Sequence, residues 1–370
     1  MSEDQDKVDY EKDESTEMNR ETEQDVQLQA EPEMGQEYDQ EYEQEYDQEY
    51  DRELVPIKLR IPVWVIVLFL GVVILEMISL LHFPKVLKDY KMYKLAESRI
   101  SHGETSAAIN DLYLVAEAHP NSIPVMVKLV ELSMDNGYYD TAGYIIDTYI
   151  SGKEVSEEDY NMIDRYYPKL ENYYNTMSSI DTIMTEAPNQ DTLDKAYYDY
   201  VRSHIESLLF TDGQDDAYLC YTLSMIAGDT TSTLDYLQQC YEIDPECFDV
   251  RAQLGIVLRR IGRLDEARSM IEEALAKDKE DTNALRAMAT IAMVENDLQG
   301  GLEAAEAAYT LYPDGLYVRE TYLIALSMNQ RNDQAEVIRE EMEAADILIE
   351  QDTQQLLNGE ITLQDYYIGE

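Results

Sequence analysis

The chain has 370 residues and a formal net charge of −49 at pH 7, from 77 acidic and 28 basic residues. Such a polyanion repels phosphate groups and has few counterions to release, which argues against nucleic acid as a partner. Its three cysteines include no CxxC pair, so the sequence predicts neither a disulfide framework nor a cysteine metal site.

Residues 1–55 form an acidic tail that contains almost no Ile, Leu, Val or Phe. Because such a segment buries too little apolar surface to offset chain entropy, we expect it to be disordered. Within it, the tetrads QEYD, QEYE, QEYD and QEYD follow one another over residues 36–51. Two interpretations stay open for these tetrads. They form either a solvated spacer or a docking tail, an acidic tyrosine-bearing ligand for a basic partner or divalent cations.

Residues 56–60 are a juxtamembrane link between this tail and an uninterrupted apolar run, residues 61–83. As a helix, the run would span roughly 34 Å, enough to cross a hydrocarbon core of ~30 Å. The long segment before the run and the lack of a small-residue cleavage site argue against a signal peptide. The run therefore predicts one transmembrane helix over 61–83, in the cell membrane.

Basic residues flank both ends of the apolar run in nearly equal numbers, so the sidedness of the repeat domain is left open. Glu76 is the only charged residue inside the run. It is explained either by association of membrane helices or by a protonated or snorkelling carboxylate. In both orientations, the tail and the remainder of the chain would lie on opposite faces of the membrane.

Beyond the apolar run, the sequence repeats with a period of 34 residues, the length of one helix–turn–helix unit. The segments that end the units reach Pro245, Lys279 and Pro313, at intervals of 34. Small residues recur where two antiparallel helices have to approach closely, for example Ala267 and Gly301. The predicted unit starts are Gln214, Phe248, Thr282 and Leu316.

This pattern resembles the tetratricopeptide repeat family, and the best unit reads LGIVLRRIGRLDEARSMIEEALAKD. The matching residues are Leu254, Gly255, Gly262, Ala267, Ala274 and Pro313. The resemblance implies an all-α fold, an α-solenoid of stacked helix pairs with a concave groove, behind the membrane helix and the disordered tail. Repeats are expected over 84–156 and 214–350, degenerate helical repeats over 157–213, and a C-terminal tail over 351–370.

In this family, the first helix of each unit lines the groove. The resemblance therefore implies a protein-binding groove formed by Ala252, Ile256, Arg259, Arg260, Arg286, Thr290, Met293, Tyr317 and Ile324. The Lys and Asn residues with which some members hold a peptide carboxylate are absent. Arg259, Arg260 and Arg286 instead form a basic group in an otherwise acidic domain. It either anchors an acidic or carboxylate-bearing protein segment, or consists of arginines that are solvated or paired with local acids.

The sequence contains no phosphate-binding GxxxxGK[ST] loop, no GxSxG elbow and no HExxH motif. We therefore predict no enzyme activity, no cofactor and no metal. The predicted function is that of a membrane-anchored scaffold or adaptor whose groove binds proteins or peptides. The alternatives are a self-assembling structural membrane protein, and an accessory or sensor subunit whose tail signals across the membrane. The partner and the oligomeric state are left open.

Overall fold

The computed structural model describes residues 62–369, except for the side chains of residues 79–84. Every regular element in this range is helical, so the predicted all-α class is confirmed. The acidic tail 1–55, its tetrads and the link 56–60 lie outside the described residues. The helices are α1 Val63–His102, α2 Thr105–Ala118, α3 Ile123–Met134, α4 Tyr139–Ile145, α5 Glu157–Asp164, α6 Tyr167–Glu186, α7 Lys195–Glu206, α8 Asp216–Ile226, α9 Thr230–Ile243, α10 Val250–Arg260, α11 Leu264–Lys277, α12 Thr282–Val294, α13 Leu298–Leu311, α14 Leu316–Met328, α15 Asn332–Ala344, α16 Gln351–Leu357 and α17 Leu363–Tyr367.

The chain divides into two compact units, Met1–Leu70 and Gly71–Glu370, and α2 to α17 all belong to the second. Helix α1 does not end with the apolar run but continues through Lys85 and Lys88 to His102. In the part of the chain that the structure describes, no helix has both the length and the apolarity that a membrane crossing requires. The transmembrane helix predicted over 61–83 is therefore not found as a separate element.

Four helical hairpins follow one another in the second half of the chain: α8 packs with α9, α10 with α11, α12 with α13, and α14 with α15. Their second helices begin at Thr230, Leu264, Leu298 and Asn332, at intervals of 34 residues. Gly262 adopts φ +78 in the turn between α10 and α11, a conformation that costs glycine little. The repeat period in the sequence thus corresponds to one hairpin.

Small residues allow the two helices of a hairpin to approach each other. A Cβ atom on Gly255 would lie 2.5 Å from Cδ1 of Ile271, and one on Gly301 would lie 2.6 Å from Cγ of Met293. Ala267, at the crossing of α10 and α11, is completely buried. Larger side chains at these positions would separate the helices, because protein interiors are close-packed.

A separate hydrophobic core lies in the N-terminal repeats, between the end of α1 and helices α2 to α6. Ala96, Leu112, Leu129 and Tyr139 are buried in this core. A π-helical turn, Ile146–Ile150, extends α4. The N-terminal repeats therefore have a continuous core of their own.

The N-terminal repeats, formed by the end of α1 and helices α2 to α6, also contact turns of the hairpins α8–α9, α10–α11 and α12–α13, which we name the central hairpins. The backbone N–H of Lys279 donates to the carbonyl oxygen of Gly103 at 2.8 Å. Next to it, the N–H of Thr105 donates to Asp278 Oδ1 at 3.2 Å. At a second point, a Cβ atom on Gly137 would lie only 2.2 Å from the carbonyl oxygen of Glu246. Turns that are more than 100 residues apart in the chain therefore meet main chain to main chain.

Lys169, on α6, forms an ion-pair bridge beside these turns. Its Nζ lies 2.9 Å from Asp215 and 2.7 Å from Asp244, and the hydroxyl of Tyr139 donates to Asp244 at 2.8 Å. Burial alone would lower the pKa of Lys169, but the two carboxylates raise it above its ordinary value. The lysine therefore stays charged and connects α6 with the loops before α8 and α10.

Substitution of Gly137 with alanine tests the close approach of the two turns. Gly137→Ala should lower the free energy of unfolding by about 1–3 kcal/mol more than Gly152→Ala, because its Cβ meets the backbone at Glu246. Gly152 is the matched control, since its φ of +75 resembles the +76 of Gly137 but no atom lies within 4 Å of its added Cβ. Urea unfolding of the full chain measures the difference; equal losses in the two variants would contradict the contact.

Candidate protein-binding groove

The groove residues predicted from the sequence lie on α10, α12 and α14, the first helices of three successive hairpins. Arg259 is buried on α10, Arg286 is half-buried on α12, and Arg260 and Tyr317 are exposed. These residues, with the half-buried Ile256, are available to contact a ligand or a covering segment. The predicted groove residues that belong instead to the tightly packed interior are Ala252, Thr290, Met293 and Ile324, with exposures of 0, 3, 1 and 1%.

Those four positions correct the sequence prediction. Ala252 belongs to the central hydrophobic core, and Met293 and Ile324 belong to the core of the following hairpins. Met293 is held there because Gly301 leaves room for its side chain. The side chains of Ala252, Met293 and Ile324 pack in these cores, and the hydroxyl of Thr290 donates to the carbonyl oxygen of Ala287 on its own helix, so we assign the four residues to the interior of the stack.

The N-terminal end of α10 is covered by the N-terminal repeats. A cavity of about 280 Å³ remains between them. Its wall combines Asn136, Gly137 and Tyr138 from the N-terminal repeats with Ala252, Lys277 and Asp281 from the central hairpins. Burial raises the pKa of Asp281, although the backbone N–H groups of Asn283 and Ala284 bond to its carboxylate. This end of the groove is thus closed by the fold itself, down to one small cavity.

The C-terminal end of α10 is covered by residues 362–369, which we name the C-terminal segment. The guanidinium of Arg259 lies 5.0 Å from the centre of the Tyr367 ring, and its Nη1 donates to the carbonyl oxygen of Tyr367. The N–H of Gly369 donates to the carbonyl oxygen of Arg260 at 3.0 Å. The predicted arginine group therefore contacts a polypeptide, and that polypeptide belongs to the same chain.

Local interactions give the C-terminal segment its shape. Thr362 and Asp365 form a capping box at the start of the short helix α17, each side chain bonding the backbone N–H of the other. After α17 the chain is extended, with φ −118 and ψ 120 at Ile368. The hydroxyl of Tyr366 lies 2.7 Å from Thr353 Oγ1 and 3.4 Å from Glu320. These bonds join the segment to α14 and α16.

The three arginines form a positive cluster that lacks acidic partners. Arg251, Arg268 and Arg319 each pair with a carboxylate. Over residues 62–369, by contrast, no ion pair includes any member of the arginine cluster, which comprises Arg259, Arg260 and Arg286. The guanidinium groups are instead in contact with aromatic rings, since Arg286 lies 5.5 Å from the centre of the Tyr317 ring.

Burial makes this positive charge unfavourable. Arg259 has only 8% of its surface exposed, and its Nε is buried without a hydrogen-bond partner. Burial lowers the pKa of Arg259 to about 10, and the positive charges of Arg260 and Arg286 act in the same direction. The guanidinium is still protonated at pH 7, so the cluster presents desolvated positive charge that an anion would neutralise.

The sequence predicts only a tail over residues 351–370 and gives no indication that this range covers the groove. In the structure this range contains α16 and α17, and its apolar side chains pack against the last hairpins. A signal was present in the sequence: Thr362 followed three residues later by Asp365 is a helix-start pattern, and two tyrosines follow it.

The described residues contain no group of three His, Cys, Asp or Glu side chains arranged to hold a metal ion. The three cysteines are buried and free. Burial raises the pKa of Cys220 to about 12, so its thiol is not ionised at pH 7.

Residues 224–291 match the family model described as tetratricopeptide repeat. The match begins near the end of α8 and reaches into α12, so it includes the whole arginine cluster. No curated protein matches the chain.

Solved structures that match the chain include the TPR domain of P58(IPK), which is 14% identical over 75% of this chain and 80% of its own, with a TM-score of 0.28. Yeast Tom70 is 10% identical over 68% of this chain and 61% of its own, with a TM-score of 0.34. The TPR2AB domain of yeast Sti1, in a complex with pHSP90, is 16% identical over 68% of this chain and 98% of its own, with a TM-score of 0.26. These scores are too low to establish a shared overall shape.

Proposed function

We propose that the chain is a tetratricopeptide repeat protein, since residues 224–291 match that family model, and that its helical hairpins form a protein-interaction scaffold whose groove binds an acidic or carboxylate-bearing segment of another protein. The arginine cluster carries this proposal. A fold with this many acidic residues has ample opportunity to pair its arginines, yet these three have no ion-pair partner among the described residues. Desolvated, unpaired guanidinium groups favour an incoming carboxylate, and two of them suit its planar, two-oxygen geometry.

Photocrosslinking at the edge of the cluster tests this function. Tyr317 lies beside Arg286 and is 62% exposed, so p-benzoylphenylalanine can replace it without disturbing the core. In intact cells that express the full chain, this variant should crosslink to a defined partner protein through an acidic segment of that partner. The same crosslinker at Val337, which is 51% exposed on α15, should not capture that partner.

Charge reversal in the crosslinking chain then separates the cluster from general surface contact. Arg286→Glu should reduce capture of the partner roughly tenfold, because it places a negative charge opposite the partner's carboxylate. Arg268→Glu is the control, since Arg268 is paired with Glu295 outside the cluster. Capture that survives Arg286→Glu would contradict the groove, and capture of a second copy of this chain would support self-assembly instead.

We propose further that the apolar run attaches the chain to a lipid bilayer, with its sidedness and the role of Glu76 as open parts of the same proposal. The described part of the run carries large exposed apolar side chains, including Trp64, Phe69 and Leu75 with 67, 66 and 67% exposure. A helical stretch that is apolar on all sides favours a lipid surrounding over water. The exposure of these side chains supports the proposal.

Membrane fractionation of the full chain tests the attachment. The protein should remain with the membrane pellet after an alkaline carbonate wash. A variant with Val67→Arg and Leu70→Arg should move largely to the supernatant, because each charge near the bilayer centre costs about 2.5–3.5 kcal/mol. Recovery of the unmodified chain in the soluble fraction, without any wash, would overturn the attachment and leave the groove unaffected.

A further inference from the structure

We infer that the C-terminal segment is a displaceable occupant of the groove, and that the segment that displaces it carries a carboxylate at the place of Tyr367. The inference rests on the proposed function and deepens it by naming the chemistry of the ligand. It follows from how the segment contacts the arginine cluster and from which groups those contacts leave without partners.

Main-chain atoms provide two of the closest contacts between the segment and α10. Arg259 donates to the carbonyl oxygen of Tyr367, and the N–H of Gly369 donates to the carbonyl oxygen of Arg260 at 3.0 Å. These contacts flank Ile368, whose backbone is extended. Because every residue has a carbonyl, and every residue except proline has an N–H, another extended segment can make the same bonds. The edge of the groove is thus adapted to polypeptide backbone in general.

The side chain of Tyr367 is an incomplete match for its surroundings. Its hydroxyl oxygen is buried and has no hydrogen-bond partner, and the same holds for Nε of Arg259. Each such group loses its water without gaining a hydrogen bond, which is unfavourable. The Tyr367 ring offsets part of this cost by lying over the Arg259 guanidinium. The segment therefore fills the site but leaves its polar groups unsatisfied.

A carboxylate in the place of the Tyr367 side chain would remove both unsatisfied groups, the Tyr367 hydroxyl and Nε of Arg259. It would accept hydrogen bonds from the guanidinium groups, neutralise charge that is now unpaired, and eliminate the buried hydroxyl. Charged hydrogen bonds of this kind contribute about 1.5–3 kcal/mol, which corresponds to tenfold or more in affinity. A segment with an acidic residue at this position, and with the same backbone bonds, therefore competes favourably with the segment in place.

The C-terminal segment is also easy to release. Its helix α17, Leu363–Tyr367, has only five residues, and such a short helix is not stable on its own. Besides the two bonds to α10, Tyr366 contacts Thr353 and Glu320, and Leu363 and Tyr367 pack against the core of the last hairpins.

Peptide binding in trans tests the inference. The protein is the chain truncated after Glu360, and three fluorescent peptides serve as probes. The first has the sequence of residues 361–370, the second carries Tyr367→Glu, and the third carries Tyr367→Gln. The first should bind, since the truncation empties its site, and the second should bind roughly tenfold more tightly than the third, with an advantage that shrinks as salt rises. The glutamine peptide controls for size and hydrogen bonding without charge.

Two protein variants test whether the arginine cluster causes the preference for the glutamate peptide. Arg286→Gln in the truncated chain should remove most of the preference for the glutamate peptide, whereas Arg268→Gln should leave it intact. The untruncated chain guards against misfolding of the truncated one. Its Tyr367→Ala variant should bind the glutamate peptide more tightly than the unmodified chain does, because the occupant is weakened.

The possible results distinguish failure of the groove to bind a polypeptide from failure of its preference for a carboxylate. If no peptide binds either the truncated chain or the Tyr367→Ala chain, the groove does not accept a polypeptide, and the proposed function falls with the inference. If the first peptide binds but the glutamate and glutamine peptides bind equally, only the preference for a carboxylate is overturned. If the unmodified full chain binds the glutamate peptide as tightly as the truncated chain does, the C-terminal segment is not an occupant that has to be displaced.

Discussion

The close approach of two stretches of main chain, at Gly137 and Glu246, holds the N-terminal repeats against the central hairpins. No side chain fits between these stretches, since a Cβ at Gly137 would lie 2.2 Å from the carbonyl oxygen of Glu246. The bridge from Lys169 to Asp215 and Asp244 supports the same junction with charge. As a result, the N-terminal end of α10 is covered by the N-terminal repeats, and the arginine cluster lies at its other end.

At that second end, the balance of forces is different. The C-terminal segment contacts α10 through two of its backbone atoms and through an aromatic ring over Arg259, and no ion pair joins residues 362–369 to the arginine cluster. Buried guanidinium groups without a carboxylate are unfavourable, and the lowered pKa of Arg259 reflects their desolvation. One end of α10 is therefore fixed by tight packing, whereas the other is covered by a segment that a better-matched ligand can replace.

The sequence was sufficient to predict the hairpins. They recur every 34 residues, and small residues such as Gly255 and Gly301 recur where the two helices of a hairpin cross. Both are local features that can be read directly from the sequence. Contacts between distant turns leave no such trace, because the bond between Thr105 and Asp278 joins residues 173 positions apart and depends on how the whole stack closes. That is why the coverage of α10 by the N-terminal repeats was not predicted.

The arginine cluster was predictable from the sequence, whereas its role in lining a groove stays a prediction. The arginine cluster was found because basic residues are rare in this chain, so three of them close together are informative. Ala252, Met293 and Ile324 were assigned to the groove by repeat position alone, but their side chains lie in the core between neighbouring hairpins. The position of a residue in the repeat predicts on which helix, and on which turn of that helix, the residue lies. Whether a neighbouring hairpin then buries its side chain depends on the angle between the hairpins, which no single repeat encodes.

Hydrogen–deuterium exchange on the full chain tests the central claim, that the C-terminal segment lies on the arginine cluster, most directly. The amides of residues 362–369 should exchange at least about tenfold more slowly than those of a synthetic peptide of the same sequence, because Gly369 donates to Arg260 and α17 is bonded and packed. Exchange at the rate of the free peptide would mean that the segment does not occupy the groove, and the account of a covered, displaceable site would be wrong.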